Sequence, residues 1–131
     1  MSIPEVLSEM RGLLHARADL LRRIGRAQKA MSKAVESGGM KRETETNGEL
    51  AHVQTGLSDL LEELEAAEQA LAAHRQTVKP AIDSLPPGSA KLALRLRYLE
   101  WTSVAEVAER AHYTREGAYI MLKNAEKHLA S

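Results

Sequence analysis

The stretch Leu92–Leu129, LALRLRYLEWTSVAEVAERAHYTREGAYIMLKNAEKHL, decides how the chain reads. Ala105, Val107, Ala108 and Ala111 fit the inner face of a short helix. Ser103, with Glu106 three residues on, has the spacing of a capping box, which starts such a helix by satisfying its free amides. Thr114 is a good N-cap for a second helix, whose apolar positions Ala118, Met121, Ala125 and Leu129 recur every three or four residues. Between the two lies a short turn around His112, and helices joined so tightly cross steeply, with small residues such as Ala108 letting them approach. The spacing predicts a helix-turn-helix, a unit whose second helix is of the kind that enters a DNA major groove.

Upstream, the pattern is of two long helices. The first is expected from about Pro4, a residue suited to a first helical turn, to about Ser37 before Gly38-Gly39. Its apolar residues Met10, Leu13, Leu20, Ile24, Ala27 and Met31 keep a three-four spacing, with Arg17 interrupting the seam. Met40 to Gly48 is polar and rich in turn formers and reads as a loop. The second helix is expected to begin between Glu49 and Ser58. Its stripe of Leu50, Val53, Leu57, Leu60, Leu64, Ala67, Leu71, His74 and Val78 follows a coiled-coil repeat. Pro80 is expected to end or kink it, Leu85-Pro86-Pro87-Gly88 breaks the chain, and a helix from about Ser89 to Glu100 follows.

The expectation is therefore an all-α fold: a long antiparallel helical hairpin or coiled coil over residues 1–85, then a helix-turn-helix over residues 86–131. The two stripes either close on each other or pair with a second subunit. A two-helix hairpin makes a thin core, which favours a homodimer through the heptad stripes.

Charge is balanced, with 18 basic and 18 acidic side chains, so the bulk chain has no electrostatic signature of a nucleic-acid binder. The distribution is uneven: net +3 over residues 1–40, −5 over 41–83 and +2 over 84–131. The acidic outer face of the second helix, with Glu62, Glu63, Glu65 and Glu68, reads as a solvated coiled-coil surface. Cysteine is absent, which excludes disulfides and thiolate metal sites and fits a cytoplasmic protein. No apolar run is long enough for a membrane span. The five histidines have no ligand spacing, and no phosphate loop, nucleophile elbow or paired catalytic carboxylates appear. The expectation is no enzyme, no metal and no cofactor.

The C-terminal residues resemble a known pattern. Leu94-Arg95-Leu96-Arg97-Tyr98-Leu99, then Ser103, Glu106-Val107-Ala108, Tyr113-Thr114-Arg115, Ala118-Tyr119 and Ala125 are similar to the promoter-reading C-terminal domain of bacterial sigma factors, as reused in phage regulators of the ArpU/RinA type. The match covers roughly the last 40 residues, and the helical front half is similar in layout only. The resemblance implies a DNA-binding regulator of phage late or packaging genes. Trp101 stands where that pattern has a glycine, His112 where glycine is preferred, Ile120 and Asn124 where basic residues are common, and Glu126 where a leucine is usual.

With Thr114 as cap, Arg115, Glu116, Tyr119, Ile120 and Lys123 project opposite Ala118, Met121 and Ala125. Arg115 suits a bidentate guanine contact, Glu116 an acceptor role toward cytosine, and Ile120 a thymine methyl. Lys123 and Lys127 suit phosphates, and Ser103 marks a helix start where backbone amides approach a phosphate. Tyr98 and Trp101 read as core residues rather than stacking platforms, and His74 as a packing or pairing residue in the seam. The ordinary alternative is that the exposed face of the second helix is merely solvated or binds protein. The expected partners are double-stranded DNA, a second copy, and a phage or host transcription protein. Two rival readings stand beside a phage or prophage transcriptional regulator: a protein-interaction module keeping the helix-turn-helix only as a fold, and a packaging component resembling a small terminase subunit.

Overall fold

The computed structural model describes residues 2–37 and 43–130, without the side chains of 37, 43–50 and 130. Among the described residues the fold is all-helical, with no strand. The elements are α1 (Ile3–Ser37), α2 (Glu43–Asp83), α3 (Ser89–Leu94) continued by a π-helical turn over Arg95–Leu99, α4 (Val104–Ala111) and α5 (Arg115–Ala130). None of the described helices is long and apolar enough to cross a membrane.

The chain packs as two compact units, and they do not follow a boundary at residue 85. One is continuous, His15–Gln69; the other joins Met1–Leu14 to Ala70–Ser131.

In the continuous unit, α1 and α2 run antiparallel. Arg17 meets Glu68 at 3.4 Å, while Met31 and Val35 share a groove with Leu57. Leu20, Ile24 and Ala67 are buried there, and Val53, Leu57, Leu60 and Leu64 are half-buried. The heptad stripe expected to meet a second subunit is thus covered by α1 of the same chain. Arg17, half-buried, interrupts the apolar seam and pairs there with Glu68. The side chain of Leu50 lies outside the described residues.

α2 starts earlier than its sequence suggests. Residues 43–48, read as loop, are helical, while 40–42 lie outside the described residues. Extending an existing helix costs far less than nucleating one, so a polar stretch prolongs the helix set by the stripe downstream. Gly56 is an exposed interior position, where an added Cβ would meet nothing within 4 Å.

The discontinuous unit holds the main core. Val6, Leu7, Met10 and Leu14 of α1 and Leu71, Val78 and Ile82 of α2 pack with Ala93, Leu94, Leu96, Tyr98, Leu99, Val104, Val107, Ala108, Ala118, Leu122 and Ala125. Pro80 does not end α2, which continues to Asp83. Proline there removes one amide donor, but Val78 and Ile82, one turn apart, are both fully buried, and their burial outweighs the lost bond. Hydrogen bonds from the Ser84 amide to the Pro80 carbonyl (3.1 Å) and from Leu85 to Ile82 (3.1 Å) close the end.

Asp83 places a negative charge at a helix C-terminus, where the backbone dipole disfavours it. Cations gather in response: Lys79 at 2.8 Å and Arg95 at 3.4 Å from its carboxylate, with Lys91 donating to its carbonyl at 3.1 Å. The hydrogen bond from Lys79 leads in holding the Asp83 carboxyl below the usual carboxylate range.

Candidate nucleic-acid interface

α4 starts where its spacing predicts. Ser103 Oγ accepts the Glu106 amide at 3.2 Å, while the Glu106 carboxylate turns to Arg110 at 3.3 Å, so one half of the capping box forms. Three of the four positions expected on its inner face lie there, and Val104 takes the place of Ala105. Val104, Val107 and Ala108 are buried with Ala111 half-buried, whereas Ala105 is exposed. Positions 104, 107, 108 and 111 make the regular apolar stripe, and valine buries more surface than alanine.

α4 ends on His112, whose backbone is left-handed (φ 61°, ψ 41°). The Tyr113 amide donates to the Ala108 carbonyl at 2.8 Å and the His112 amide to Glu109 at 3.4 Å, the paired bonds of a Schellman turn. Trp101, before α4, is also left-handed (φ 56°) and packs half-buried against the core. Both positions where the resembling pattern has glycine therefore take the backbone that favours glycine, with bulky side chains in place. Replacing His112 with glycine is expected to raise unfolding stability by about 0.5–1 kcal/mol, the left-handed penalty less the added freedom of the unfolded chain. Urea denaturation measures it, and an equal or lower midpoint would show that the imidazole makes up for the strain.

α5 opens on Thr114, whose Oγ1 accepts the Gly117 amide at 3.0 Å. A Cβ at residue 117 would sit 3.1 Å from that oxygen, so glycine keeps the cap tight. Ala118, Leu122 and Ala125 are buried, with Met121 and Leu129 half-buried against the core. Leu122, absent from the predicted stripe, replaces Met121 as its centre.

Arg115, Glu116, Tyr119, Ile120, Lys123 and Lys127 are all exposed, with Tyr119 at 53% and Ile120 at 57%. Ser103 and Thr114 are exposed too, but their hydroxyl oxygens already accept helix amides. The sequence-predicted residues thus share one exposed side of α5, except Ser103, which starts α4.

Two features of this side carry no local signal in the sequence. Arg11, from α1, reaches Glu126 at 2.9 Å and lines a shallow groove with Lys123 and Lys127. Glu126 also accepts a hydrogen bond from the hydroxyl of Tyr98, a side chain only 1% exposed. That explains a glutamate where the resembling pattern has leucine: it satisfies a buried phenol and an arginine arriving from the other end of the chain. Burial, then the Glu126 carboxylate, pushes the Tyr98 phenol above its ordinary pKa. Arg97 is half-buried and donates to the Thr102 carbonyl at 3.0 Å, which braces the turn into α4.

Beside the polar face runs an apolar groove lined by Tyr113, Gly117, Ile120, Met121 and Ala90. Comparison with protein-family models, with curated proteins and with solved structures found no match.

Proposed function

We propose that the chain binds double-stranded DNA through α5 and serves as a phage or prophage transcriptional regulator. The observation that supports it is the division of α5. Small and aliphatic residues lock one side to the core, a tight capped turn fixes its start, and Arg115, Glu116, Tyr119, Ile120 and Lys123 stand in solvent on the other side. Rigid presentation of a few polar groups at the start of a helix is what reading base edges needs. Arg115 reads guanine, Glu116 and Ile120 discriminate neighbouring bases, and Lys123 and Lys127 meet phosphates.

The test is binding to a library of short duplexes across a salt series. Log affinity should fall against log salt with a slope near −0.9 per neutralised phosphate. Arg115→Ala should cost about 1–3 kcal/mol and relax preference at one base position. No detectable binding at low salt would overturn the proposal.

The second reading, a protein-interaction module, has its own support in the apolar groove beside the same face, where Tyr113 and Ile120 are both well exposed. Under it, Ile120→Ala weakens a protein complex while Arg115→Ala leaves that complex intact.

A further inference from the structure

The continuous unit is a two-helix hairpin with one covered seam and one uncovered side. On α1, Arg17, Leu21, Gln28 and Val35 recur at spacings of four and seven; on α2, Leu57, Leu61 and Glu68 do the same. Residues at such spacings share a helix face. The Arg17–Glu68 ion pair joins these two rows at one end, and the groove of Gln28, Val35 and Leu57 joins them at the other. Leu21 and Leu61 therefore lie on one side of the hairpin, between the two junctions. They are 43% and 48% exposed, and Val35 is 63% exposed. Leu57, Leu60 and Leu64 are half-buried beside them.

The two helices carry opposite charge. Residues 15–36 of α1 hold six basic and two acidic side chains, net +4. Residues 51–69 of α2 hold five acidic side chains and no Lys or Arg, net −5. A covering helix pair is thus attracted or repelled according to which helix lies over which.

We infer that this side pairs with the same side of a second copy, each α1 lying antiparallel over the α2 of the other, to close a four-helix bundle. That arrangement follows from a two-fold axis running along the hairpin, which puts every basic helix beside an acidic one. The alternative two-fold, across the hairpin, sets α1 on α1 and α2 on α2, with like charges opposed. Leu21, Leu61 and Val35 fill the new core, with the exposed basic residues of α1, among them Arg22 and Lys29, and the exposed acidic residues of α2, among them Glu62 and Glu65, along its outer edges. The size is adequate: at 1.5 Å per residue the 23 residues 15–37 span about 34 Å. A hairpin about 20 Å wide then covers roughly 1,300 Å² over both copies, within the range of a specific interface. This inference stands apart from the DNA reading, since nothing in it involves α5.

The experiment is sedimentation equilibrium on the full chain and on two charge-reversed variants, Arg22→Glu/Lys29→Glu and Glu62→Lys/Glu65→Lys. These positions are solvent-exposed, and helicity by circular dichroism checks that each variant folds. The native chain should be a dimer, and each variant should dissociate at least about tenfold more readily because its own rim charges now repel. An equimolar mixture should recover the native affinity, because one variant's reversed positions on α1 then meet the other's oppositely reversed positions on α2, while the other two helices keep their native charges. Leu21→Glu with Leu61→Glu should give a monomer of unchanged helicity. A native chain that is monomeric at about 100 µM, far above the Kd of a specific interface of this size, or larger than a dimer, overturns the inference. So does a mixture that recovers nothing, or reversed variants that pair as tightly as the native chain.

Discussion

A fragment of residues 86–131, holding the whole helix-turn-helix, is expected to remain unfolded on its own. Its core is completed from elsewhere in the chain by Val6, Leu7, Met10, Leu14, Leu71, Val78 and Ile82, all buried. At about 1.5–3 kcal/mol for each buried aliphatic side chain, their loss removes roughly 10–20 kcal/mol of apolar burial. That matches or exceeds the whole stability of a typical domain, about 5–15 kcal/mol. Far-UV circular dichroism and amide shift dispersion, set against the full chain, measure the outcome. A cooperative thermal transition in the fragment would show that the small core of α3, α4 and α5 is sufficient.

Tyr98→Ala is expected to cost the full chain about 3–5 kcal/mol, the range for deleting a large aromatic side chain from a core. The ring is fully buried, and Glu126 loses one of its two partners. Tyr98→Phe separates the ring from the hydroxyl. It should cost about 1.5–3 kcal/mol, the net worth of a hydrogen bond to a charged group, and it should also change the pH profile. Burial raises the phenol's pKa in the folded chain above its unfolded value of about 10. Above that pH the unfolded chain has released the proton and the folded chain still holds it. The contribution of Tyr98 is therefore complete below about pH 10 and is lost as pH rises from there toward the folded pKa. Urea unfolding at pH 8 and at pH 11 should show native stability falling more steeply than that of Tyr98→Phe. Parallel losses in the two proteins would place the alkaline sensitivity in other groups.

What the sequence makes legible here is short-range. The caps at Ser103 and Thr114, the ends of α1 and the start of α3 depend on residues within one turn, and each lies where its local chemistry puts it. The exposed side of α5 is legible for the same reason, because its periodicity spans only a few turns. Errors begin where two local patterns compete. Ala105 and Val104 each extend a plausible apolar stripe, and only the packed neighbours select valine. Pro80 is a strong local stop that two buried aliphatics override. Illegible altogether are contacts across the chain, such as Arg11 with Glu126 or the first turns of α1 in the core beside α5. No spacing rule connects residues 115 positions apart.

The discontinuity of the second unit sets an order on biosynthesis. Val6, Leu7 and Met10 are translated more than a hundred codons before the residues of α5 that share their core. At 5–20 residues per second, that delay is on the order of 5–25 s. Until α5 is made a nascent chain displays an aliphatic strip without its full native cover, whereas His15–Gln69 is complete as soon as residue 69 is made. That strip is thus a natural target for a holding chaperone, and the synthesis of α5 is the step that releases it.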